Sequence, residues 1–171
     1  MTRTTTLLRT ASVAVMTVAA VMLAGQSSIT AVGSKTADLL VSSTVNSNCT
    51  ITTTPVAFGA YDVLLTTPLD ATGSVTITCT KGAATTIGLD PGLNFLLNRR
   101  MNLGTTDFLS YELYSESGRT TVWGNAAGSW LSPVAAPSKT ARVFTVYGRI
   151  AAAQDVPAGD YADTVTATVN Y

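Results

Sequence analysis

Short segments of alternating apolar and polar residues run through most of this chain, and they constrain its fold more than any other feature. Val75, Ile77 and Cys79 share one face of a segment whose other face carries Ser and Thr. Successive side chains of a β-strand point to opposite faces, so this pattern indicates a strand with one face on a core. The same alternation recurs at residues 39–45, 87–89, 109–113, 144–150 and 164–171.

Turn residues separate these segments, and nothing after residue 25 has the pattern of an amphipathic helix. Gly, Pro and Asp cluster near residues 70–73, 90–92, 117–118 and 157–160. Many short alternating strands with regular turns are typical of a β-sandwich or barrel. We therefore predict an all-β domain, with no internal repeat and no second domain.

The N-terminus has the pattern of a secretory signal peptide. Arg3 and Arg9 precede an apolar run over residues 11–24, and the chain becomes polar at Gln26. The run is shorter than the roughly 20 apolar residues that span a membrane. We expect residues 1–25 to be a signal peptide, with cleavage somewhere between residues 24 and 33. The protein is then exported through the periplasm and has no stable membrane insertion after cleavage.

Composition argues against nucleic-acid binding and catalysis. Charged residues make up 12% of the chain, about half the usual share, and no basic patch offers a nucleic-acid surface. The sequence has no histidine, which excludes Ser-His and Cys-His catalysis and argues against zinc. The spacing of Asp155, Asp160 and Asp163 fits no EF-hand, so we interpret them as turn residues. We predict no enzyme activity, no cofactor and no metal site.

The two cysteines, Cys49 and Cys79, are predicted to form a disulfide. An exported chain reaches an oxidising compartment, where pairing is the default, and two thiols allow one intramolecular bond. Closing a loop of this length stabilises the fold by roughly 3 to 4 kcal/mol in the chain-entropy model.

The last alternating segment indicates an incomplete sandwich. Val165, Ala167, Val169 and Tyr171 lie on one face, and no further strand follows them. A closed immunoglobulin-type sandwich has another strand beside this one. We therefore expect these four residues to border an open hydrophobic groove. The alternative is that the strand count taken from the sequence is wrong.

Three aromatic residues have two interpretations each. Tyr161, at the head of the last strand, is either a tyrosine corner, with its hydroxyl bonded to nearby backbone, or an ordinary core aromatic. Trp123 and Trp130 could form an exposed site for sugar, but the sequence favours buried loop anchors.

Several blocks of the sequence resemble the spore coat protein U family. They are residues 49–51, 58–62, 73–80, 100–101, 109–114, 122–124, 146–154 and 159–165. The resemblance covers residues 39–171, which we take as the mature domain, and it depends on the combined spacing of the blocks.

The resemblance implies an immunoglobulin-like β-sandwich that lacks its last strand and is completed by donor-strand complementation. The function it implies is that of a structural pilin subunit of an archaic, Csu-type chaperone–usher pilus in adhesion or biofilm formation. The implied partners are neighbouring copies or related pilins, a periplasmic chaperone and an outer-membrane usher. The alternative is a secreted spore-coat or surface-matrix protein that forms no fibres.

Under the pilin interpretation, residues 26–38 form an N-terminal extension that donates the missing strand. Ile29 and Ala31 alternate on one face and Val32 lies on the other. Gly33 and Lys35 occupy the next positions of the first face, so the apolar pattern of this segment is short.

Overall fold

The computed structural model describes residues 32–171, so the predicted signal peptide and the donor candidates Ile29 and Ala31 lie outside the described residues. Residues 43–171 form one compact unit. The described residues of the preceding unit, 32–42, contain no helix or strand. Over the described range, no helix is long and apolar enough to cross a membrane.

Seven antiparallel strands form two sheets in the described part of the chain. The strands are β1 Cys49–Thr54, β2 Leu69–Cys79, β3 Thr86–Leu89, β4 Arg99–Leu103, β5 Asp107–Tyr114, β6 Arg142–Ile150 and β7 Ala167–Asn170. One sheet has the order β1-β2-β6-β5-β4, and the other pairs β3 with β7. The prediction of an all-β fold is confirmed.

The two sheets share one hydrophobic core, and the predicted inward faces supply it. The buried apolar side chains of the larger sheet are Val75, Ile77, Cys79, Leu109, Tyr111, Leu113, Val146 and Ile150. Ile87 and Leu89 of β3 complete the core from the second sheet. Period-two alternation therefore identified the core face of β2, β3, β5 and β6 correctly, because each of these strands has a neighbouring strand and an opposing layer.

The prediction of a strand at residues 39–45 is wrong. Residues 32–48 contain no helix or strand, and Leu39, Val41 and Val45 are each more than 80% exposed. Alternation gives a segment the right side chains for a strand, but the backbone also needs a paired neighbour. None of the described strands pairs with these residues.

Burial and hydrogen bonding decide between the interpretations left open for the aromatic residues. Trp123 is fully buried, and its indole Nε1 donates to the carbonyl of Ile87 at 2.8 Å. It is a loop anchor, as the sequence favoured, whereas Trp130 is 38% exposed. The Tyr161 hydroxyl donates to the carbonyl of Pro157 at 2.9 Å, which is the contact that defines a tyrosine corner.

A buried arginine joins three elements around the end of β3. Arg99 is 3% exposed, and its Nη2 donates to the carbonyls of Leu89, Asp90 and Trp123 at 2.7–2.9 Å. Its Nη1 forms an ion pair with Glu112 of β5. Because the carbonyls of Leu89 and Trp123 are buried, the guanidinium satisfies groups that would otherwise be costly to leave without a partner.

The disulfide between Cys49 and Cys79 is present. The two residues lie directly opposite each other in the β1–β2 register. The bond therefore ties β1, an edge strand of the larger sheet, to its neighbour β2. The two cysteines are 30 residues apart in the sequence.

Replacing Arg99 with Ala should lower the free energy of unfolding by about 3 kcal/mol or more, since it leaves buried carbonyls and the Glu112 carboxylate without their partner. Arg149→Ala is the matched control, because Arg149 pairs with Asp70 where both side chains are about one-third exposed. Exposed pairs contribute about 1 kcal/mol or less. Denaturant unfolding of both variants measures the difference, and equal losses would contradict this role for Arg99.

Removing the disulfide with the double variant Cys49→Ala/Cys79→Ala should lower the free energy of unfolding by roughly 3 to 4 kcal/mol, because the unfolded chain gains entropy. Denaturant unfolding is the measurement. Chemical reduction of the unchanged protein is the control and should give a similar shift. An unfolding midpoint unaffected by reduction would contradict the prediction.

Candidate functional site

Two strand edges without a partner flank one side of the sandwich. Among the described strands, β1 pairs only with β2, and β7 pairs only with β3. The Thr166 amide donates to the Asp90 carboxylate, and the Thr166 carbonyl accepts from the Asp90 amide. Both backbone groups of Thr166 therefore point to the β3 side. Backbone polar groups of successive strand residues point to alternate sides. Those of Val165, Ala167 and Val169 therefore point to the unpaired edge.

A groove of about 280 Å³ lies between these edges. Residues 53–58 form one wall and residues 163–167 form the other. Core side chains form the floor, which consists of Val75, Leu89, Met101, Tyr111, Leu113 and Val146. At one end the two walls meet, where the Tyr171 hydroxyl lies 3.4 Å from Asn48 Oδ1.

The residues predicted to border the groove lie beside it. Val165, Ala167 and Val169 are half-buried and pack against the core, and the first two line the groove. Tyr171 is 56% exposed and lies at the closed end. From Val165 onward, half-buried and exposed side chains therefore alternate as the sequence predicted, although the strand itself begins at Ala167. That the segment receives another strand remains a prediction.

The sequence analysis missed the wall formed by the chain after β1. Val56 and Phe58 pack directly on Gly148 of β6. The contact is so close that a Cβ on Gly148 would lie 2.7 Å from each of the two side chains. Gly73 of β2 also leaves space for the wall, since a Cβ on this residue would lie 2.8 Å from Val56 Cγ2. The signal in the sequence was the Val-x-Phe alternation, combined with a glycine inside each of two alternating strands.

A second cavity continues the apolar lining beyond the groove. Its volume is about 820 Å³, and it shares Val56, Phe58 and Met101 with the groove. It then extends to Val156 and Tyr161. The two cavities therefore share part of their apolar lining.

A polar cluster surrounds Asp163 in the wall of the groove. The Asp163 carboxylate accepts from the Tyr111 hydroxyl at 2.8 Å, from the Leu93 amide at 3.0 Å and from Asn94 Nδ2 at 3.1 Å. Burial and this hydrogen bond to Asp163 raise the pKa of Tyr111, so its hydroxyl stays protonated and donates. The cluster fixes the loop after β3 to the segment that enters β7.

The structure separates the surroundings of the three acidic residues Asp155, Asp160 and Asp163, which lie close together in the sequence. Asp163 is bound by the protein groups named above, whereas Asp155 and Asp160 are exposed. Within the described range, no group of three potential ligands is close enough to hold a metal ion.

The groove has the chemistry of a site for an extended peptide. Its floor is apolar, and each wall offers backbone donors and acceptors at an unpaired edge. A strand in this position can form main-chain hydrogen bonds with the walls and place alternate side chains on the floor. Of the predicted donor residues, only Val32 lies in the described range, where it is 96% exposed and outside any strand.

Comparisons with known proteins agree with this architecture. Protein U of Myxococcus xanthus is 36% identical over an alignment of 127 residues, and the match covers 67% of this chain and 70% of that protein. A chain in the crystal structure of the CsuC–CsuE chaperone–tip adhesion subunit pre-assembly complex, from archaic chaperone–usher Csu pili of Acinetobacter baumannii, matches with a TM-score of 0.57. It is 27% identical over 75% of this chain, which spans 41% of the matched chain.

The structural match confirms the predicted immunoglobulin-like β-sandwich. The family model named Spore Coat Protein U domain matches residues 35–168, nearly the whole described range. This chain therefore belongs to the Spore Coat Protein U domain family.

Proposed function

We propose that this protein is a structural pilin subunit of a Csu-type chaperone–usher pilus, and that it polymerises by donor-strand exchange. The observation that carries the proposal is the apolar groove between the unpaired edges of β1 and β7. An open strand edge beside an apolar floor is an aggregation hazard unless another polypeptide covers it. In a fibre, a strand of the neighbouring subunit provides that cover.

The energetic argument is the burial of alternate side chains. Each aliphatic side chain that leaves water for the groove floor contributes about 1.5 to 3 kcal/mol. Main-chain hydrogen bonds to both walls add specificity for an extended segment. Several such positions give a subunit contact stable enough to persist in a surface fibre.

The geometry of the contact favours a fibre over a closed ring. The donating segment and the accepting groove are different surfaces of the subunit, so the contact is heterologous. Heterologous contacts that do not close on themselves generate open helical filaments.

The likeness to the Csu complex supports the remaining parts of the proposal. A subunit of this kind crosses the periplasm, is received there by a chaperone and is assembled at an outer-membrane usher. Its place is the cell surface, where the fibre promotes adhesion or biofilm formation. The groove is also the surface that a chaperone would cover before assembly.

A second candidate is a secreted spore-coat or surface-matrix protein that forms no fibres. The identity to Protein U over most of both chains favours this candidate. In that case the groove would be filled within a single chain.

A charge in the groove should prevent assembly. Ala167→Glu places a carboxylate on the groove wall, where an incoming strand would bury it without a partner. Thr168→Glu is the matched control, because Thr168 is the next residue and points to solvent. Protein sheared from cells and run unheated on a denaturing gel should form a ladder of multimers that boiling removes. We expect about a tenfold or greater loss of multimers for Ala167→Glu and none for the control.

Two results would contradict the proposal. A single monomer band from unchanged protein would favour the coat or matrix alternative. An undiminished ladder from Ala167→Glu would show that assembly does not use the groove. Equal denaturant midpoints of the two purified variants establish that both are folded.

A further inference from the structure

Two cavities lie at opposite ends of the sandwich. The first, of about 580 Å³, is lined by Cys49 and by Cys79, the last residue of β2. The second is the cavity of about 820 Å³ described above, and it is lined by Ile150, which lies opposite Leu69, the first residue of β2. Because the 11 residues of β2 span roughly 35 Å at about 3.4 Å per residue, groups at the two ends of one copy do not touch.

The first cavity has basic surroundings. Lys81 and Lys139 line it and are both exposed, and no acidic residue of the described chain contributes to its lining. Arg142 begins β6 at the same end, opposite Ile77 of β2. We refer to Lys81, Lys139 and Arg142 as the basic end.

The second cavity has acidic surroundings. Asp62 and Asp160 line it and are both exposed, whereas none of its lining residues in the described range is basic. Asp155 is exposed directly before Val156, which also lines the cavity. We refer to Asp62, Asp155 and Asp160 as the acidic end.

The charges of the two ends have no ionic partner among the described residues. The ion pairs found there join Arg99 to Glu112, and both Arg119 and Arg149 to Asp70. Neither end contributes a residue to these pairs. In a chain of which only 12% is charged, the unpaired basic and acidic side chains therefore give opposite ends of the domain opposite charge.

The two ends are complementary in a head-to-tail contact. The proposed fibre contact is heterologous, so different surfaces of two copies meet. Like charges brought together at an interface repel, whereas opposite charges steer the partners to one orientation and speed their association. A basic end against an acidic end is the attractive combination of these two surfaces.

We propose that neighbouring copies form a second contact, outside the β1–β7 groove, in which the basic end of one copy lies against the acidic end of the next. This inference rests on the proposed function and adds the surface that sets the direction in which copies stack. Its partner is another copy of this chain, because each copy carries both of the complementary surfaces. The contact consists of exposed charges, so salt weakens it.

Zero-length cross-linking tests the contact directly. A carbodiimide joins a lysine to a carboxylate only where the two groups meet, since it leaves no spacer in the product. Fibres sheared from cells are treated with it at low ionic strength, digested and analysed by mass spectrometry. We expect peptides with Lys81 or Lys139 joined to peptides with Asp62, Asp155 or Asp160. Monomer of the same protein is the control and should not give these products, because the two ends of one copy do not touch.

The outcomes separate this contact from the proposed function. If unheated gels show a ladder of multimers but the two lysines stay unmodified or join only other carboxylates, the end-to-end contact is overturned and the fibre stands. Joining of the lysines to a different protein would assign the basic end to that partner and would also overturn the contact. No ladder from unchanged protein overturns the fibre and this contact together.

Exchanging the charges of the two ends provides a second test. Lys81→Glu with Lys139→Glu makes the basic end acidic, and we expect about a tenfold loss of multimers at equal amounts of exported protein. Adding Asp155→Lys and Asp160→Lys to this variant restores opposite charges in the reverse sense. The fourfold variant should therefore recover the ladder.

Thr72→Glu with Thr145→Glu is the control for added negative charge. Both threonines are exposed within β2 and β6 and line neither cavity, so the ladder should be unchanged. Because every substituted side chain is exposed, all variants should keep the denaturant midpoint of the unchanged protein. A full ladder after the two lysine reversals, or no recovery in the fourfold variant, would overturn the proposal.

Discussion

The structure depends on two strand edges whose backbone groups have no strand partner in the described fold. β1 and β7 each pair on one side only, and the apolar core is accessible between them. Unpaired backbone donors and acceptors beside an apolar surface cost free energy when water is excluded from them. They are also a specific template for another β-strand. The edges favour an extended segment, and the floor favours alternate apolar side chains. The proposed fibre function follows from this combination.

The rest of the domain holds these edges apart. The disulfide ties β1 to β2 on one side of the groove. On the other side, Arg99 binds the carbonyls at the end of β3, and Asp163 fixes the loop after β3 to the entry of β7. These covalent and polar links are formed within the domain itself. They allow a domain with an exposed core surface to keep a defined binding site, which reduces the ordering cost when a strand enters.

Much of the fold was predictable from alternation, and the failures concern features that a local sequence pattern does not contain. Strands β2, β3, β5 and β6 were identified because their core faces are apolar and their partners lie in the same chain. Residues 39–45 have the same pattern but no partner among the described strands, and sequence periodicity carries no information about pairing. The wall at Val56 and Phe58 was missed because its shape depends on space left by Gly73 and Gly148. A contact of that kind depends on tertiary structure and is not visible in a local pattern.

The central claim is that the unpaired edges acquire a partner strand from another copy. Hydrogen–deuterium exchange, resolved to single amides in monomer and in assembled protein, tests it most directly. The account predicts that the amides of Val165, Ala167 and Val169 exchange rapidly in the monomer and become protected on assembly, since a paired strand amide exchanges only after opening. The amide of Thr166, already bonded to Asp90, should change much less. Equal protection of all four amides in monomer and assembly would contradict the account.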